Sequence, residues 1–135
     1  MIQIIYSKME CELSGSNDEL QRLSEQITDF CQSNDKLLFL KTETQLDPSP
    51  YDEVLTSIVL EKTDDMFVAS KRDDTLYITG GIESLTNFVQ NLPYDAEMSN
   101  NGVSFHVHFD ALGWPEHISA ESIEMVLSLK HGRSG

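Results

Sequence analysis

Positive charge is scarce in this chain: nine Lys and Arg stand against 23 Asp and Glu, a net charge of −14 with histidine neutral. A field of that sign repels nucleic acid and anionic membrane, and it speeds encounter with a basic partner. The acids are dispersed and form no block of like charge, so solubility is an equally good account of them. Cysteine is nearly missing too. Cys11 and Cys31 stand alone, with no CxxC and no His/Cys spacing of a zinc site, and they read as buried thiols of a reducing compartment. No apolar run approaches the roughly 20 residues that cross a bilayer. The start Met1 to Tyr6 is too short and too quickly polar for a signal peptide, so a cytoplasmic protein is expected.

Phosphate-loop chemistry is also lacking. Thr79-Gly80-Gly81 precedes a helical pattern, but it has neither the lysine nor the glycine spacing of a P-loop or a dinucleotide fingerprint. It reads as a strand-to-helix turn. With 135 residues the chain has the length of one ordinary domain, and residues 1-135 are expected to form one.

What is present is an alternating stretch, Val103-Ser104-Phe105-His106-Val107-His108-Phe109-Asp110. Val103, Phe105, Val107 and Phe109 fall on one side of an extended chain, and Ser104, His106, His108 and Asp110 on the other. The turn signal Ser99-Asn100-Asn101-Gly102 precedes it. Two imidazoles then point the same way, about 6.5 to 7 Å apart along the strand, with a carboxylate next in line.

Taken in order, Ile2 to Leu13 alternates with a phase change near Ser7, which predicts a bulge in one long strand. Ser16 followed by Glu19 is a capping box, and Leu20, Leu23, Ile27 and Phe30 recur at helical spacing, which predicts a helix over 17 to 32. Leu37 to Leu40 is a short buried-strand run, and residues 44 to 53, with two prolines, read as a surface loop. Strands over 55 to 62, 66 to 70 and 75 to 79, joined by short turns, predict an antiparallel meander. A second helix runs to Pro93, a last strand spans 122 to 130, and 131 to 135 reads as a frayed tail.

An internal repeat links these elements. Gly80 lies 65 residues after Gly15, and around both a small or hydroxyl residue, the glycine and the apolar helix positions agree. Units of about 1-62 and 66-130 follow. Two helices and about seven strands without βαβ regularity predict an α+β fold, with both helices on one face of a mainly antiparallel sheet.

His106 and His108 could ligate a metal with Asp110 or His117 as a third ligand, and His106 with Asp110 could form an acid/base pair. An HxH on a strand is a weak signal by itself. Imidazoles that fill a half-polar sheet face account for it better, and no motif places a Ser or Cys nucleophile. Trp114, the only tryptophan, lies in a Gly-Pro loop, either as a lid on the core edge or as an interface anchor.

The Ser/Thr-Gly turn before a helix with Leu-x-x-Leu, the strand with His106, His108, Phe109 and Asp110, and the closing run Ile118, Ser119, Ser122, Ile123 and Val126 resemble small immunity proteins of bacterial polymorphic toxin systems, specifically the immunity protein 32 type. The resemblance implies a non-enzymatic cytoplasmic inhibitor that binds one cognate protein toxin, with neither metal nor cofactor. His106, His108, Asp110, Trp114, Glu116 and His117 are the candidate partner-binding residues. The alternative is a small metal- or ligand-binding enzyme domain centred on His106, His108 and Asp110.

Overall fold

The computed structural model of the chain describes residues 1–94 and 105–130. The turn expected at 99 to 102, the first two residues of the histidine strand and the tail at 131 to 135 lie outside the described residues. The elements run β1 (Gln3–Ser7), β2 (Glu10–Gly15), α1 (Asn17–Gln32), β3 (Leu37–Lys41), β4 (Glu53–Val54), β5 (Ser57–Lys62), β6 (Val68–Arg72), β7 (Thr75–Gly80), α2 (Ile82–Gln90), β8 (Phe105–Phe109) and β9 (Glu124–Leu129). The fold is α+β.

Among the described residues nine strands form two mixed sheets rather than one mainly antiparallel sheet of about seven. The five-stranded sheet has the order β4-β1-β2-β9-β8, and the four-stranded sheet β3-β5-β7-β6. At the centre of each lies a parallel pair, β2 with β9 and β5 with β7. The expected meander is therefore not formed: residues 63 to 67 carry the chain past the position that β7 takes, so β5 and β6 are not neighbours. Periodicity identifies strands by their buried face, and it is silent on which strand lies beside which.

The two halves nevertheless use the same order of elements. A hairpin, a helix and two strands make β1, β2, α1, β3 and β5 in one half, and β6, β7, α2, β8 and β9 in the other. Each hairpin pairs with the closing strands of the opposite half, β1-β2 with β9-β8 and β6-β7 with β5-β3, with matching directions. Among the described residues only β4 has no counterpart. It adds a two-residue strand to the first sheet where the expected loop over 44 to 53 ends.

The phase change near Ser7 is a hairpin turn and not a bulge. Lys8 (φ 46°) and Met9 (φ 73°) both occupy the left-handed region, so two residues reverse the chain with the twist that antiparallel strands need. That conformation is costly for residues with a Cβ.

Helix α1 forms where the spacing places it. Ser16 caps it, its hydroxyl accepting from the Glu19 N–H while the Glu19 carboxylate accepts from the Ser16 N–H. The amino group of Met1 also binds Glu19. A Cβ at Gly15 would lie 2.9 Å from Ile2 Cδ1 and 3.2 Å from Glu19 Cβ, so a side chain there would displace the end of Ile2 and crowd Glu19 where the strand end approaches the helix start. Helix α2 has no side-chain cap, starts after Gly81 and ends at Gln90, before Pro93.

The helices pack on each other, and Leu20, Leu23, Ile27 and Phe30 join Leu85, Phe88 and Leu92 in one core with the inner faces of both sheets. Phe67, Phe88 and Phe109 meet there, with ring centroids 5.0 to 5.4 Å apart. They tie the second hairpin, the second helix and the histidine strand together.

Two expectations follow. Replacing Lys8 and Met9 by Asn and Gly is expected to stabilise the chain by about 1 kcal/mol, read as a higher urea midpoint with an unchanged slope. The second concerns Glu19. Burial pushes its carboxyl up, but the amino terminus and Ser16 outweigh this and hold it below the ordinary value. A carboxyl held low in the folded state contributes stability that is present above its unfolded pKa and lost as pH falls through the folded one. Glu19→Gln is expected to make the loss of stability shallower below about pH 4.3, measured by urea midpoints across pH, while Ser16→Ala costs about 1 kcal/mol at neutral pH.

Candidate partner-binding surface

Alternation along β2 and β9 sends Cys11, Leu13, Met125, Leu127 and Leu129 into the core. It turns Glu10, Glu12, Glu124, Val126 and Ser128 to the opposite, outer face. β8 follows the same rule: Phe109 is fully buried, and His106 and His108 are exposed on the outer face, opposite Ser128 and Val126. The strand reading thus holds over the described part, Phe105–Phe109. The two imidazoles lie edge to face with ring centroids 5.6 Å apart.

Glutamate dominates the middle of this face. Glu10 and Glu124 are directly paired across the parallel strands. The Tyr51 hydroxyl donates to the Glu10 carboxylate at 2.6 Å. Burial, and then that bond, push the Tyr51 hydroxyl pKa well above its usual value. Glu12 accepts from the Ser128 hydroxyl at 2.7 Å and has the Lys130 ammonium at 3.9 Å. The result is a polar strip, acidic at its centre and bordered by imidazoles, with Ile5, Val54 and Val126 between.

The other expected site residues do not gather around the histidines. Asp110 lies past the end of β8, and its carboxylate accepts from the Gly113 N–H at 3.0 Å, closing its own turn. Trp114 is half-buried against the core, 6.4 Å from the Phe109 ring and 6.4 Å from His117. One part of the indole covers the core edge and the rest is open. Among the described residues no three His, Cys, Asp or Glu side chains come together as metal ligands.

Glu116 and His117 line a separate, open cleft of about 750 Å³ beside the start of α2, together with Lys36, Lys62, Asp64 and Asp65. Its charges are of both signs, and the Lys62 ammonium is already held by the Ser33 carbonyl at 2.6 Å and lies over the Phe30 ring. Both cysteines are free thiols. Burial, with Glu10 and Glu12 adding to it, pushes the Cys11 thiol far up, and burial raises Cys31 to a lesser degree.

The glutamates of the outer face are the residues that the histidine strand did not announce. The alternation Glu10-Cys11-Glu12 marks a strand with an acidic face. What brings it beside His106 and His108 is the parallel pairing of β2 with β9, and no local pattern encodes that.

The edge position of the histidines and the depth of Phe109 separate surface from core. Phe109→Ala is expected to cost roughly 3 to 5 kcal/mol, because it opens a cavity beside Phe67 and Phe88. The double change His106→Ala/His108→Ala is expected to alter stability by no more than about 0.5 kcal/mol. Urea denaturation followed by circular dichroism measures both. Compared with protein-family models and with curated proteins, the chain matches none.

Proposed function

We infer that this chain is a non-catalytic immunity protein, and that it binds a basic cognate toxin domain through the outer face of its five-stranded sheet. The observation that carries the reading is the alignment of Glu10, Glu12 and Glu124 beside His106 and His108, on a face whose histidines and Glu124 are exposed. A net charge of −14 supports the same partner chemistry, because it accelerates encounter with a basic surface. Val126 and Ile5, half-buried in the strip, supply apolar area of the kind that holds a complex once formed. Around the separate cleft Asp64, Asp65, Glu83 and Glu116 outnumber Lys36 and Lys62 and extend the acidic field beyond the sheet. The resemblance to immunity proteins supports a protein toxin as the partner, and the acidity of the sheet face supports a basic one. A reaction centred on His106, His108 and Asp110 draws less support, since the Asp110 carboxylate is engaged in its own turn.

The test is to search the neighbouring genes for a secreted protein with a toxic C-terminal domain and to measure the binding of that domain to this chain by surface plasmon resonance; a neighbourhood that encodes no such domain counts against the reading. The on-rate is expected to fall steeply as salt shrinks the Debye length from about 30 Å at 0.01 M to about 8 Å at 0.15 M, while the off-rate changes little. Glu10→Gln/Glu124→Gln is expected to slow association, and Val126→Arg to weaken the complex by about 2 kcal/mol or more through the off-rate. An on-rate indifferent to salt, or a complex indifferent to Val126→Arg, would remove this face from the interface.

A further inference from the structure

Among the described residues the two sheets have four edge strands, and three are blunted. β4 is two residues long. β8 presents His106 and His108. β6 is covered by the chain ahead of β9: the Ala69 N–H donates to the Ser122 hydroxyl and the Ile123 N–H to the Ala69 carbonyl. Short strands, polar side chains and cover are the usual devices against edge pairing. β3 is five residues long and uncovered among the described residues, and Lys41 at its end is its one charged side chain. On its outer face Leu37 is 57% and Phe39 60% exposed.

The ladder to β5 leaves a definite set of groups free. Lys62 N–H donates to the Lys36 carbonyl and Thr42 N–H to the Thr56 carbonyl, so residues 36, 38, 40 and 42 face β5. By alternation the N–H and C=O of Leu37, Phe39 and Lys41 are directed at the open edge. These three positions are symmetric about Phe39. A second β3 running antiparallel, with the two-fold axis at Phe39, sets Phe39 against Phe39 and Leu37 against Lys41, and all three pairs exchange backbone bonds.

The side chains fit the same register. Leu37 pairs with Glu61 on β5. The Lys41 of a second copy would lie opposite Leu37, two strand spacings or roughly 10 Å from Glu61. Its alkyl stem would cover Leu37 and its ammonium would meet the Glu61 carboxylate, which already accepts from the Tyr77 hydroxyl at 2.7 Å. Leu38 and Leu40, partly buried on the inner side, would face their counterparts and lengthen the core. Charge does not oppose the contact locally. Arg22, Lys36, Lys41 and Lys62 balance Glu19, Asp35, Glu43 and Glu61 around this edge, while the acidic strip lies on the other sheet.

We propose that two copies of this chain pair through β3 and join their four-stranded sheets into one of eight strands. Sedimentation velocity of the full chain at 0.15 M salt tests this. The mass is expected to rise from 15.3 kDa to twice that as concentration increases, with a dissociation constant on the order of 10 µM for so small an interface. Phe39→Lys is expected to weaken the dimer by more than about tenfold, with an unchanged circular dichroism spectrum. Lys41→Glu is expected to weaken it as well, and Lys41→Glu/Glu61→Lys to restore it. A mass that stays at 15.3 kDa at every concentration, or a dimer that survives Phe39→Lys, overturns the proposal. So does a charge swap that fails to restore pairing in a folded variant.

Discussion

Everything in this fold hangs on two parallel strand pairs. β2 meets β9 and β5 meets β7, and in each case the partners belong to opposite halves of the chain. Neither half can complete a sheet with its own strands, because a hairpin such as β1-β2 is left with an open inner edge until β9 arrives. Isolated two-stranded hairpins are marginal in water, so the exchange also joins the stability of the halves. Residues 10 to 15 pair with residues 124 to 129, which places much of the ladder among distant parts of the sequence. Folding that depends on such pairings is slow relative to local hairpin and helix formation.

The exchange also decides what the surface looks like. Both helices spend their apolar stripes on each other and on the inner sheet faces, which leaves the outer faces to the side chains of alternate strand positions. On the five-stranded sheet these are chiefly glutamate, serine and histidine. On the four-stranded sheet they include Leu37, Phe39, Val59 and Tyr77, with Arg72 stacked 3.7 Å above the Tyr77 ring. The chain therefore carries one acidic face and one apolar, nearly neutral edge. A long-range field would steer a basic molecule toward the first, whereas only short-range contact and backbone bonding could select the second.

Local structure was legible in the sequence to the extent that its cause is local. The Ser16-Glu19 box and the spacing of Leu20, Leu23, Ile27 and Phe30 locate α1 because capping and burial act within a few residues. Alternation located β8 and put His106 and His108 on its polar side for the same reason. The phase change at Ser7 was visible too, but a bulge and a tight hairpin both shift phase, and Lys8-Met9 lacks the Asn-Gly signal that marks such a turn. Strand neighbours were not legible. Val59 and Tyr77 look alike as strand residues whether β5 and β7 are parallel neighbours or members of a meander, because the choice is made by the whole core.

The same limit explains why the candidate site was only half visible. His106 and His108 share a strand, so their common direction follows from backbone geometry. Asp110 continues the alternation on paper, yet the strand ends at Phe109 and the carboxylate turns to the Gly113 N–H, a local bond that outcompetes extension of the strand. Trp114 follows that turn, and its N–H donates to the Asp110 carbonyl, so the turn delivers the indole to the Phe109 edge of the core. One aspartate thus both removes itself from the histidine face and seats the tryptophan. The acidic strip that replaces it comes from β2 and β9, elements whose inner residues hold the core. Substitutions at Glu10, Glu124 or Val126 can therefore change the charge and shape of this outer face without disturbing Cys11, Met125 or Leu127 beneath it, because successive strand residues answer to opposite sides of the sheet.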